Sequence, residues 1–244
     1  MSGIMLDIRP PIAWLTLARD LIGPAEMRDL ASAVESEATE DSVRAVVITS
    51  SGPDFCRGWD WPALAEAGVP GDPFGCLAAL PKPVICALNG EVTGGGLALA
   101  LAADIRIAAE GTTFAFPETE MGLVPTAGAT QRLVRLVGRG AALELVLSGS
   151  TVDVAGALRI GLASEVVAPG DLKRRVEELA LRIAERGPIA VGYAKEVISR
   201  GVEMPLEQGL RYETDLTILL QTTEDRAEGV SAFLEKRKPE FKGK

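Results

Sequence analysis

Residues 84–103 read VICALNGEVTGGGLALALAA, and the architecture can be read outward from this stretch. Val84–Leu88 is a short, continuous apolar run closed by the turn pair Asn89-Gly90, the pattern of a strand buried on both faces. Three glycines follow, Gly94, Gly95 and Gly96, and then Leu97–Ala103 runs apolar with no polar face, as a helix buried on all sides does. Ile105–Ala108 reads as the next strand. Upstream, Val43–Ser50 (VRAVVITS) is β-branched and apolar and reads as another buried strand. Ile4–Ile8 and Ile12–Leu17 read as two short strands split by Pro10-Pro11. Pro24 suits the first turn of a helix running to Ala38. Strands alternating with helices predict an α/β fold. From Thr126 onward the pattern is mainly helical. Leu172, Val176, Leu179 and Ile183 recur at helical spacing, and further helices are expected over Ile189–Arg200, Pro205–Leu220 and Glu224–Arg237. This predicts an α/β core over residues 1–188 and a helical region over residues 189–244.

Composition narrows the chemistry. The chain of 244 residues contains no histidine, which excludes Ser-His-Asp and Cys-His catalysis and His-ligated metal sites, so no metal is expected. Acid–base work near neutral pH then falls to a carboxylate, Lys, Tyr or Cys. Cys56, Cys76 and Cys86 show neither CxxC spacing nor an even count, which fits buried thiols in a reducing cytoplasm. Residues 1–10 lack a basic stretch leading into an apolar one, so no signal peptide is expected. The longest apolar run, Leu97–Ala103, is far shorter than the roughly 18 residues of a membrane span. A net charge of −9 disfavours nucleic acid as a partner. A small basic cluster occupies the last ten residues.

Three segments are candidates for chemistry. Gly94–Gly96 stands between a buried strand and a buried helix, where free amides at a helix start can hold an anion. No Lys-Ser/Thr follows and no GxGxxG is present, so neither phosphate-loop nor dinucleotide readings apply. By itself the triple glycine reads equally as a tight turn. Phe55–Asp60 (FCRGWD) follows the strand at residues 43–50, and its Gly58 can present backbone amides to a cleft, or simply turn the chain toward a helix. Phe114–Glu118 (FAFPE) places a carboxylate among apolar residues, where burial raises its pKa and suits it to act as a base. A solvated glutamate is the ordinary alternative.

In order and spacing these segments resemble the crotonase (enoyl-CoA hydratase/isomerase) superfamily. The motifs are Phe55–Asp60, Asn89–Gly96 (NGEVTGGG), Pro117-Glu118, Gly122–Leu133 (GLVPTAGATQRL) and the closing segment Gly229–Lys238 (GVSAFLEKRK). The resemblance covers nearly the whole chain. It implies repeated ββα units, with C-terminal helices that build a homotrimer or a dimer of trimers. It implies an acyl-CoA thioester as substrate, with coenzyme A part of that substrate and no separate cofactor. The matched oxyanion-hole positions are the backbone amides of Arg57 and Gly95, and the matched base is Glu118. Cys56, Gly58, Trp59, Asp60, Gly94, Gly96, Ala98 and Thr126 fall on the substrate-binding segments. Lys236 falls in the closing region that lies near the CoA nucleotide in the family.

Two positions depart from the hydratase pattern. Ala98 stands where hydratases carry a second glutamate, and Thr126 stands where they carry glycine. One carboxylate suffices to shuttle a proton between two carbons, whereas hydration usually draws on two. The expectation is therefore a 3-enoyl-CoA to 2-enoyl-CoA isomerase. The alternatives are a hydratase using Glu91 or Glu120 as second acid, a thioester hydrolase or decarboxylase on the same fold, and a catalytically silent CoA-binding subunit. The segment Arg19–Pro24 is shorter than its family counterpart, and the loop Gly68–Gly75 is expected to tune acyl choice.

Overall fold

The computed structural model describes residues 3–36, 40–68 and 71–244. The chain opens with β1 (Ile4–Arg9) and β2 (Ile12–Leu17), followed by α1 (Pro24–Ser36). Ala38, the expected end of that helix, lies outside the described residues, as do Val69 and Pro70 of the Gly68–Gly75 loop. Next come β3 (Ala45–Ser50), α2 (Trp61–Ala67), α3 (Gly75–Ala78), β4 (Val84–Leu88), β5 (Glu91–Thr93) and α4 (Gly95–Ala102). The helix predicted from Leu97 thus begins two residues earlier and takes two of the three glycines into its first turn. β6 (Ile105–Ala109) and β7 (Thr113–Ala115) precede a single 3₁₀ turn at Pro117–Met121 and the long α5 (Ala129–Ser148), which is interrupted at Gly138.

The stretch after Thr126 is less purely helical than expected. It contains β8 (Val152–Asp153) and β9 (Glu165–Val167), separated by α6 (Val154–Arg159). Two- and three-residue strands leave too little sequence for a period to show. The remaining helices are α7 (Leu172–Ala184), α8 (Pro188–Gly201), α9 (Leu206–Leu220) and α10 (Glu224–Glu235). The boundary placed after residue 188 thus falls inside the first turn of α8. No helix among the described residues is long and apolar enough to cross a membrane.

Two sheets organise these elements. The larger has strand order β1-β2-β3-β4-β6-β9, antiparallel between β1 and β2 and parallel thereafter. The smaller has order β5-β7-β8. Each of the pairs β4-β5 and β6-β7 sends its first strand to the larger sheet and its second to the smaller, and a helix follows. This is the expected repeated ββα core.

Parallel strands need cover on both faces, and the alternation along β2 shows how they obtain it. Ala13, Leu15 and Leu17 join a core with Met27, Leu30 and Val34 of α1 and all the apolar residues of α4. Ile12 and Trp14 join a second core under Leu172, Val176 and Ala180 of α7. Arg106 is the one buried cation among the described residues. Its guanidinium donates to the carbonyls of Ala103 (2.7 Å), Ala100 (3.4 Å) and Leu162 (2.9 Å), capping the C-terminal end of α4, where the helix dipole favours positive charge. By contrast, α8, α9 and α10 leave Ile198, Leu206, Leu210, Ile218, Phe233 and Leu234 exposed.

Candidate active site

The glycines of the Asn89–Gly96 motif serve close approach. Gly94 has φ 47° and ψ −114°, which an L-residue adopts only with strain, and its amide donates to the Ala115 carbonyl at 3.1 Å. A Cβ on Gly95 would stand 2.8 Å from Cδ2 and Cε3 of Trp59, and one on Gly96 would stand 2.4 Å from the Cβ of Cys56. The backbone of residues 56–59 therefore lies directly against the N-terminal turn of α4. The leading amides of that turn, Gly95 among them, have no acceptor within their own helix.

Residues 55–60 run extended between two neighbours. On one side the Cys56 amide donates to the Glu91 carbonyl at 3.0 Å and its carbonyl accepts from Thr93 at 2.9 Å. On the other side the Ile22 amide donates to Gly58 at 2.9 Å and the Asp60 amide to Ile22 at 2.8 Å. The Arg57 amide belongs to this second ladder and donates to the Asp20 carbonyl at 2.6 Å. The short connection between β2 and α1 brings Asp20 back onto the segment. In this structure the Arg57 amide is thus already spoken for. The Arg57 guanidinium points outward, 3.6 Å from both Asp20 Oδ2 and Glu91 Oε2, in exposed pairs that contribute little.

Glu118 sits on the 3₁₀ turn after β7 and is 1% exposed. Its Oε1 accepts a hydrogen bond from Trp59 Nε1 at 3.1 Å. Its Oε2 is buried with no hydrogen-bond partner. Burial pushes the carboxyl above its ordinary value, and hydrogen bonds from its own backbone and from Trp59 partly oppose the shift. A Cβ on Gly94 would lie 3.0 Å from Glu118 Oε1, so the carboxylate abuts the start of α4. Glu118, Trp59 and the glycine turn form one cluster assembled from three distant parts of the sequence.

The other anticipated residues divide. Gly58, with φ 130°, turns the chain just ahead of Trp59. Asp60 caps α2 by accepting from Ala63 at 3.3 Å and pairs with Arg19 at 3.2 Å, which gives it a scaffold role. The Cys56 thiol is buried and pushed up to about 12, well removed from thiolate chemistry. Ala98 is fully buried in α4. Thr126 accepts from the Ala129 amide at 3.0 Å just ahead of α5. Lys236 is exposed at the end of α10, its amide donating to Phe233 at 3.3 Å, and no described contact joins it to Glu118.

Among the described residues, no contact joins a second carboxylate to Glu118. Glu91 and Glu120 are exposed. The two other buried acids have partners of their own. Glu26 accepts from the Gly23 amide and from Arg19, and Asp225 accepts from the amides of Lys242 and Gly243. The sequence marked Trp59 as a residue near substrate. It carried no signal that the indole would bond Glu118, 59 positions away, or that Asp20 would occupy Arg57.

The chain is similar to proteins of a known family. A sequence model of the family described as enoyl-CoA hydratase/isomerase matches residues 16–244. The chain is 38% identical to the 2,3-dehydroadipyl-CoA hydratase of Escherichia coli K12, covering 100% of both chains. It is 33% identical to the short-chain-enoyl-CoA hydratase of Clostridium acetobutylicum over 98% of this chain and 97% of that one. Among solved structures, an enoyl-CoA hydratase from Bacillus anthracis superposes with a TM-score of 0.93 at 36% identity, covering 99% of this chain and 100% of that one.

Proposed function

Because the chain belongs to the enoyl-CoA hydratase/isomerase family, we propose that it moves a carbon–carbon double bond within an acyl-CoA thioester, with Glu118 as the single base. The supporting observation is Glu118 itself, a buried carboxylate with one unbonded oxygen and, among the described residues, no second acid joined to it. Glu118 removes a proton from C2 of a 3-enoyl-CoA. The electrons of that C–H bond spread through the allylic system onto the thioester oxygen. The same carboxyl then returns the proton to C4, leaving a double bond between C2 and C3. No water is consumed and no redox change occurs, so no cofactor is required, and coenzyme A enters as part of the substrate. The Gly95 amide receives the developing negative charge. The Arg57 amide, the other matched position, faces Asp20 on the side of its segment away from β5 and is not set to share that oxygen. A single donor of the kind Gly95 offers typically lowers the barrier by about 3–4 kcal/mol.

The second reading is hydration, which the named activities of the relatives favour. It needs a second acid, and the candidates Glu91 and Glu120 are exposed. Turnover of 3-hexenoyl-CoA and crotonyl-CoA in heavy-oxygen water separates the two. Double-bond migration without oxygen uptake is expected, and oxygen incorporation into crotonyl-CoA would establish hydration instead.

The acid limb of the pH profile offers a further check. Glu118 acts deprotonated, so kcat/KM is high above its pKa and falls below it. Burial raises that pKa. The limb is therefore expected above the ordinary glutamate value of about 4.3. A limb at or below that value would remove Glu118 from the role.

The exposed apolar residues of α8, α9 and α10, Phe233 at 83% exposure among them, support self-association through the helical region. A homotrimer or a dimer of trimers is the assembly this reading carries.

A further inference from the structure

We propose that Trp59 is a displaceable cap that fills the acyl subsite and restricts this enzyme to short acyl-CoA esters. The inference rests on the reading of Glu118 and Gly95 as the catalytic pair. A thioester engaged by both must place its carbonyl oxygen at the Gly95 amide and its α-carbon within about 3–3.5 Å of the Glu118 carboxylate. The indole of Trp59 occupies that approach. Its six-membered ring lies against Gly95, close enough that a Cβ there would be 2.8 Å away, and its Nε1 donates to Glu118 Oε1 at 3.1 Å. Trp59 is 5% exposed, and Gly94, Gly95 and Gly96 are buried around it. No thioester reaches both groups until the ring moves.

The surroundings show what moves and what limits the move. Gly58, at φ 130°, immediately precedes the indole and meets nothing closer than 3.8 Å where a Cβ would be, so there is open space beside the indole's attachment, while Ile22 holds the backbone itself in place. On its far side the indole stacks on Phe74, with ring centroids 6.2 Å apart and planes at 13°, and Trp61 closes a second side at 6.4 Å. A displaced indole therefore remains among aromatic rings and still occupies acyl volume, leaving room for a short chain. Beyond Phe74 the chain continues into Gly75, which lines a cavity of about 670 Å³ between α3 and α8. Removing the indole frees its own volume on the Phe74 side of the site.

Equilibrium binding of saturated, unreactive esters tests this without any turnover. The native chain is expected to bind butyryl-CoA at least tenfold more tightly than octanoyl-CoA. Trp59→Ala should shrink or invert that ratio by at least tenfold, while Trp59→Phe, which keeps a ring but loses the donor, should largely retain it. If Trp59→Ala does not fold, Trp59→Leu carries the same comparison. A double variant, Trp14→Phe with Trp61→Phe, leaves Trp59 as the sole tryptophan, and its selectively excited fluorescence should shift to the red when butyryl-CoA binds. A chain-length ratio unchanged by loss of the indole, or an emission unmoved by ligand, overturns the proposal. The catalytic reading fails separately, by full activity in Glu118→Gln, because the binding ratios do not depend on a working base. Absence of binding to any acyl-CoA would overturn both.

Discussion

Replacing Glu118 with Gln is expected to lower turnover by about 10²–10⁴-fold, the span usually lost with a positioned general base. The substitution keeps the side chain's shape and leaves an oxygen for the Trp59 Nε1–H bond. What it removes is the oxygen that takes up a proton. Binding of a saturated acyl-CoA should survive, so the loss falls on kcat. Stability is expected to move the other way. Burial raises the Glu118 pKa, so the folded chain holds this proton more tightly than the unfolded chain does. That contribution is fully present below the unfolded value and is lost as pH rises through the folded one. Above that folded pKa the parent carries a charge in a site that disfavours it, and the glutamine variant does not. Its melting temperature should match or exceed that of the parent above that pKa, with the gap narrowing as the pH falls through it. A variant that turns over at the parental rate would end the single-base mechanism.

Gly96→Ala is expected to destabilise the fold more than any other single methyl group added to the glycine turn. Its Cβ would lie 2.4 Å from the Cys56 Cβ and 2.7 Å from the Cys56 carbonyl oxygen. A flexible side chain could yield to such a contact, but Cys56 cannot. Its amide is bonded to Glu91 and its carbonyl to Thr93, which ties it to β5. Relief therefore requires α4 and residues 55–60 to separate. Overpacking of this kind costs about 1–3 kcal/mol, and the upper end applies where backbone opposes backbone. For a domain of this size, at about 2–4 °C per kcal/mol, that upper end corresponds to a fall of roughly 6–12 °C in Tm. Activity should fall as well, since the neighbouring Gly95 amide moves with the turn. Gly140→Ala is the control. Nothing lies within 4 Å of its Cβ position, and it sits inside α5, so alanine there should be neutral or mildly stabilising. Equal melting temperatures for the two variants would show that the turn tolerates separation.

The elements legible in the sequence were those whose burial leaves a long pattern. β4, α4 and the stripe along α7 are each read from continuous or periodic apolar residues, and each forms where expected. The smaller sheet was not visible. β5, β7 and β8 have two or three residues each, and what holds them is pairing with partners far along the chain. The candidate site divides in the same way. Glu118 and the glycines stood out because spacing and residue type mark them. The Trp59–Glu118 bond and the Asp20–Arg57 bond are tertiary contacts between segments that carry no mutual pattern. The shortness of the Arg19–Pro24 connection was visible in the sequence. Its result, a backbone carbonyl set on the amide expected to face substrate, emerged only when the chain was folded.

Arg106 ties the order of chain assembly to the readiness of the site. Every group assigned to the chemistry lies within the first 118 residues, and a nascent chain of that length already contains them all. The helix that presents the Gly95 amide is nevertheless secured at its far end by a guanidinium that also needs the Leu162 carbonyl. Until residue 162 has joined, that buried cation lacks one of its three acceptors, and β9 has not yet covered the edge of β6. The catalytic turn is thus made early in the chain, while the far end of its helix keeps an acceptor that only a later segment supplies.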